Sequence, residues 1–163
     1  MNKTKHFSLL FLATLLSGCF SDTAQYQGIS FPKSTSSSVT FLENTIPGEC
    51  SAFAHLLMNT KMQSTGQEIS TAMHREAEER GADLILVGMS REMPGEDLDE
   101  NRFDYYGPQY AYTFNKTWLG WKFGFDEWDD AGNLVGIGTN AWGNTEISFD
   151  NSILVQAVFL HCR

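Results

Sequence analysis

Three cysteines, four histidines and twenty carboxylates carry the reactive side chains of this sequence, and their spacing narrows what they could do. Cys19 closes the run Leu16-Ser17-Gly18-Cys19, directly after an apolar stretch from Phe7, whereas Cys50 and Cys162 stand far apart in the remaining chain. No two of them form the C-x-x-C spacing that tunes redox-active or metal-binding thiols. The chain has no G-x-S-x-G elbow, no HExxH, no P-loop and no dinucleotide fingerprint. His55, His74 and His161 are scattered, and His74 falls on the polar side of a helical pattern, where a solvated ring is expected. Glu127 beside Trp128 could serve glycosidase chemistry only with a second carboxyl roughly 5 to 10 Å away, and a chain of this length leaves little room for a long cleft. The expectation is therefore a protein that is not an enzyme and has no catalytic residue or cofactor.

Two further clusters invite a chemical reading. Asp126, Glu127, Asp129 and Asp130 are hard-cation donors beside Gly132, but the D-x-[DN]-x-[DN]-G spacing of a calcium loop is not met. Asp129-Asp130-Ala131-Gly132-Asn133 is what a plain hairpin turn prefers, so no metal is expected. Between Tyr110 and Trp128 the chain is dense in aromatic rings, and Trp121, Phe123 and Phe125 alternate with the period of a strand that has one apolar face. Such rings most often fill a core. The alternative is an exposed binding platform built from Tyr110, Tyr112, Trp118, Trp121 and Trp128, because rings stack on sugar faces and dominate protein interfaces.

The elements that would position these groups begin with an export signal. Lys3 and Lys5, the apolar run and the small residues after it have the layout of a secretory signal peptide. The run is about half of the ~20 apolar residues needed to span a bilayer. Leu16-Ser17-Gly18-Cys19 resembles the lipobox of bacterial lipoproteins. That resemblance implies removal of residues 1–18 and lipidation of Cys19, whose thiol would receive a diacylglycerol and whose new amino terminus would be acylated. Phe20, where an aspartate would resemble an inner-membrane retention signal, favours the outer membrane, with the protein facing the periplasm. The full chain carries a formal charge of −9, and without Lys3 and Lys5 nine cations face twenty carboxylates, a balance of −11. That field excludes nucleic acid as a partner. With Cys19 acylated, Cys50 and Cys162 remain in an oxidising compartment, and one intramolecular pairing is open to them. A disulfide across more than 100 residues is worth roughly 4 to 5 kcal/mol in the chain-entropy model.

Residues 19–38 read as a flexible tether, with Pro32 and the run Ser34 to Ser38. A single α+β domain is expected over 39–163. Val39 to Leu42 reads as a short strand, and Cys50 to Met58 as a second, although Ala52, Ala54 and Leu56 would also suit a helix. The clearest helix carries Ile69, Ala72, Met73 and Ala77, with a capping box from Thr65 and Glu68 and a left-handed cap at Gly81. Ala82 to Met89 comes next as a buried strand. Residues 90–151 read as an aromatic and acidic insertion, with a turn at Tyr105-Tyr106-Gly107-Pro108 and a return strand over Leu134 to Ile137. Ile147 to Phe149 and Ile153 to Leu160 would supply the last strands.

Cys50 at a strand head, the helix end Ala77-Glu78-Glu79-Arg80-Gly81-Ala82-Asp83, the strand after it and the terminal Ala157-Val158-Phe159-Leu160-His161-Cys162 are similar to the RcsF-like lipoproteins of the bacterial envelope and related uncharacterised domains. The resemblance covers about half the chain beyond residue 18. It implies a small α+β domain with its two cysteines joined, and does not itself imply stress sensing. Two cysteines in place of the four of that family's envelope-stress sensor, and the aromatic insertion, depart from that pattern. The functional expectation is a lipid-anchored protein-interaction, sensor or scaffold module with an envelope protein as partner. The alternative is a peptidoglycan-binding module, and a small hydrolase is a more distant one.

Overall fold

A computed structural model describes residues 31–95, 97–106 and 131–163. Cys19 and the residues of the expected platform, Tyr110, Tyr112, Trp118, Trp121 and Trp128, lie outside the described residues, as do Asp126 to Asp130. The described chain is α+β, with one helix of more than three turns and a mixed, mostly antiparallel sheet. Its strands are β1 (Ser38–Thr40), β2 (Cys50–Asn59), β3 (Leu84–Met93), β4 (Arg102–Tyr106), β5 (Leu134–Val135) and β6 (Ser152–Cys162). They lie in the order β1-β3-β6-β2-β4, with β5 also on β3, and of these pairs only β1 and β3 run parallel. Among the described residues no helix is long and apolar enough to cross a membrane.

The centre of the sheet is the last strand of the chain. β6 pairs antiparallel with β2 on one side and with β3 on the other, and Ser152 to Leu160 are all buried. Burial on both faces explains why its sequence is mostly apolar, interrupted by Gln156, rather than a strict alternation. Its odd positions, Ile153, Val155, Ala157 and Phe159, join Leu56, Met58, Ile85 and Val87 beneath Ile69, Met73 and Ala77 of the helix. Its even positions, Leu154, Val158 and Leu160, face the other side with Leu57, Leu84 and Leu86. A one-residue slip of β6 would exchange these two sets.

Helix α1 (Gly66–Arg80) carries both signals expected of it. Glu68 N–H donates to Thr65 Oγ1 while Thr65 N–H donates to Glu68 Oε2, at 3.2 and 2.9 Å. Those contacts and Lys61 hold the Glu68 carboxyl down at about 2. Gly81 closes the other end at φ +78°, with its N–H on Ala77 and Glu78 carbonyls. The start of the helix is also enclosed from a distance: Gly66 and Gln67 N–H donate to the Ile147 and Asn144 carbonyls. A Cβ on Gly66 would lie 1.8 Å from the Ala141 carbonyl oxygen, so only glycine admits this approach.

Several expectations change here. Residues 31–38 are not a free tether. Phe31 and Ser34 N–H donate to the Arg80 and Glu78 carbonyls, Ser34 Oγ donates to Ala82 O, and Lys33 pairs with Glu79. This strap satisfies carbonyls that the helix end leaves open, so the folded body reaches back at least to Phe31 rather than starting at Val39. Of residues 90–151, Ser90 to Met93 complete β3, and β4 and β5 extend the sheet, so these described parts belong to it. Tyr105 and Tyr106 pair with Leu56 and His55 in β4 instead of forming a turn. β5 stops at Val135 and lies on β3, and around Ile147 to Phe149 only Ser148 makes a bridge, to Thr65, among the described residues.

Candidate functional site

The cysteine pair forms as expected: Cys50 and Cys162 are register partners at the ends of β2 and β6 and are joined by a disulfide. Asp83 serves this corner. Its Oδ2 accepts the Cys162 N–H at 2.8 Å and stands 2.8 Å from His161 Nδ1, while Phe31 stacks on the His161 ring at 4.0 Å. The corner joins four parts of the chain: the strap, β2, the start of β3 and the end of β6.

The histidines do different things. His55, on the face of β2 away from the helix, is almost fully buried, and desolvation pushes its pKa down from 6.5 to about 4. Asn59 and Gln156 are buried on the same face. His74 Nδ1 lies 2.7 Å from Ser37 Oγ, which is also 3.4 Å from Glu78 Oε1. The carboxylate is therefore on the hydroxyl rather than on the ring, unlike an acid that orients a catalytic base. The trio fastens the strap to the helix, and Trp142 packs edge-on against the same ring. Burial lowers the His74 pKa and Glu78 opposes that shift. On the opposite flank Tyr105 Oη donates to Glu76 Oε1 at 2.6 Å and Arg80 lies over the Tyr105 ring, so β4 is bound to the helix. Burial raises the Tyr105 pKa, keeping this hydroxyl protonated as the donor. Among the described residues no group of three or more histidine, cysteine or acidic side chains is placed to hold a metal.

The arrangement best suited to contact another molecule lies at the other edge of the sheet. β1 and β5 share one edge of β3, at Leu84 to Leu86 and at Ser90 to Arg91 respectively. Between them Val87, Gly88 and Met89 have no register partner on that edge among the described residues, and a bulge in the β3·β6 ladder falls at the same place. Beyond Val135 the chain parts from β3, leaving a cavity of about 630 Å³ between Leu86–Ser90 and Leu134–Gly138, with Phe41 and Glu43 at one end. A second hollow of about 310 Å³, lined by Val39, Leu42 and Trp142, adjoins it across Phe41. Leu42 and Leu134, at 60% and 67% exposure, are two large apolar side chains that water reaches freely, and each lines one of the two hollows.

The walls of this slot have an unusual amount of bare backbone. Val135 and Ile137 point inward, Ile137 being fully buried, while the outward positions are Leu134, Gly136 and Gly138. Neither glycine has a positive φ, and a Cβ on either would meet nothing within 4 Å. No backbone hydrogen bond between described residues engages Gly136 or Ile137. The sequence contained a signal for this in the alternation Leu134-Val135-Gly136-Ile137-Gly138, which keeps strand period while two outward positions lose their side chains. Comparison of the chain with protein-family models, with curated proteins and with solved structures finds no match.

Proposed function

We propose that this chain is a lipid-anchored protein of the bacterial envelope, acylated at Cys19, held at the outer membrane facing the periplasm, and acting as a protein-interaction module of the scaffold or sensor kind. The observation that carries the interaction reading is the sheet-edge slot, where exposed Leu42 and Leu134 border an apolar opening whose walls hold backbone outside any ladder among the described residues. Isolated exposed leucines are ordinary, but apolar side chains grouped around a concavity are a recurrent feature of binding sites. The sequence signal at residues 1–19 supports the address, and a disulfide suits an oxidising compartment.

In-cell photo-cross-linking separates this reading from its alternative. A photoreactive residue at Leu134 is expected to give a discrete adduct with an envelope protein, identified by mass spectrometry, whereas one at Thr71 on the exposed helix face is not. No adduct at Leu134 combined with sedimentation of the protein on purified peptidoglycan would replace a protein partner by a glycan. For the anchor, labelled palmitate should enter the wild-type chain and fail to enter Cys19→Ala; incorporation into neither would overturn lipidation.

A further inference from the structure

The interaction reading leaves open how a partner would be held, and the slot itself is informative. Between Leu86 and Ser90, β3 presents roughly 13 Å of extended chain at a rise of about 3.3 Å per residue. Gly88 and Met89 find no register partner along it among the described residues. The facing wall, Gly136 and Ile137, is extended in direction from β5 and also has backbone groups outside any ladder among the described residues. Two short strands on one edge with a break between them mean that a row of donors and acceptors is interrupted rather than covered. Backbone polar groups on the walls of an apolar opening are favourable points for a partner that brings its own N–H and C=O groups.

We infer that the slot between β3 and Leu134–Gly138 takes an extended peptide segment of a partner protein, inserted as a short strand that hydrogen-bonds to Val87–Met89 on one side and Gly136–Ile137 on the other. The glycines favour a polypeptide over a compact ligand. Neither fold strain nor neighbouring atoms require glycine at 136 or 138, and an interior glycine in strand-like chain suits a site where another backbone approaches closely. The side chains of the inserted segment would alternate. One set would lie against Phe41 and Ile137 on the helix side, and the other would emerge on the opposite face beside Leu86 and Leu134. The net charge, −11 without residues 1–18, favours basic residues flanking that apolar core. The partner's signature is thus about three strand residues at the slot, with alternating aliphatic side chains and a lysine or arginine beside them. This inference rests on the interaction reading and specifies its chemistry.

A phage-displayed library of random heptapeptides, panned on the full chain in detergent, samples such segments without assuming a sequence. Enriched peptides are expected to alternate aliphatic residues beside a cation, and when synthesised to slow amide hydrogen exchange at Gly88, Met89, Gly136 and Ile137. Proline at the peptide's central position should weaken binding at least tenfold, because proline cannot donate to the ladder. The double variant Gly136→Val/Gly138→Val should also bind at least tenfold more weakly while keeping its melting temperature, since both added side chains enter open space. Absence of enrichment, protection confined to other residues, or protection by detergent alone would each overturn strand insertion, the last by assigning the slot to acyl chains. A protein adduct from Leu134 without slot protection would leave the interaction role standing and remove only this mode of binding.

Discussion

His55 links a single side chain to the pH range in which the fold is stable. Its ring is buried and its pKa falls from 6.5 to about 4 in the folded chain, with desolvation as the cause. Between those values the unfolded chain binds the proton and the folded chain does not, so stability rises with pH. The full contribution is present above 6.5 and is lost as pH falls through the window to about 4. At ~1.36 kcal/mol per pH unit the loss approaches 3 kcal/mol. His74 shifts in the same direction, but it is only partly buried and Glu78 opposes its shift, so its share is smaller. Glu68 acts in a separate window, because a carboxyl held at about 2 loses its native contacts only as pH falls from 4.5 toward that value. Urea midpoints of wild type and His55→Gln between pH 7 and 4 should therefore differ in slope, with the variant flatter. Equal slopes would mean that His55 is as easily protonated in the folded chain as outside it.

At the scale of elements, the sequence disclosed those whose signals are local and concealed those that depend on distant partners. The helix was legible end to end, because Thr65, Glu68 and Gly81 act within a few residues of the backbone groups they satisfy. The central strands were legible as apolar runs. The strap was not, because Ser34 to Ser38 has the composition of a linker and its partners, the carbonyls of Glu78, Ala82 and Asp83, are more than forty residues away. β4 was hidden for a related reason: Tyr105 and Tyr106 stand beside Gly107-Pro108, a strong turn signal, yet pair along β2. The enclosure of the helix start by residues 141–147 was equally unreadable, and it gives a sharp expectation. Alanine has better helix propensity than glycine by roughly 0.5–1 kcal/mol, so Gly66→Ala would stabilise an isolated helix. Here the new Cβ meets the backbone of Ala141 and Asn144, and overpacking of this kind costs about 1–3 kcal/mol or more. The clash should win, lowering the melting temperature. Gly48→Ala, where nothing lies within 4 Å, should leave it nearly unchanged. A Gly66→Ala protein as stable as Gly48→Ala would show that the 141–147 segment gives way freely.

For the whole molecule, the cysteine count together with the expected export signal was enough to foresee the clasp, whereas the slot left only a local trace in the glycines of Leu134–Gly138, because the opening itself arises from where two strands stop on a shared edge. The clasp stems from placing the last strand in the middle of the sheet. β6 cannot pair with β2 and β3 until almost the entire chain is present, so most of its contacts close long loops, whose entropy must be offset before the sheet is stable. The disulfide removes part of that cost by joining residues 112 apart in sequence at the very end of the β2·β6 ladder. For a loop of about 100 residues the chain-entropy model gives roughly 4.7 kcal/mol, a large fraction of the 5–15 kcal/mol typical of a whole domain. The native ladder needs no cross-link to define its register, since eight residue pairs besides the cysteines already do so. Cys50→Ser/Cys162→Ser should therefore keep the far-ultraviolet circular dichroism of the wild type yet unfold at a urea concentration lower by the equivalent of about 4 kcal/mol. Wild type in excess dithiol should shift by the same amount, because the effect lies in the freedom of the unfolded chain rather than in the side chains replaced. A double variant with an unchanged midpoint would mean that the unfolded chain already holds its two ends together, and that the core of β6 alone sustains the fold.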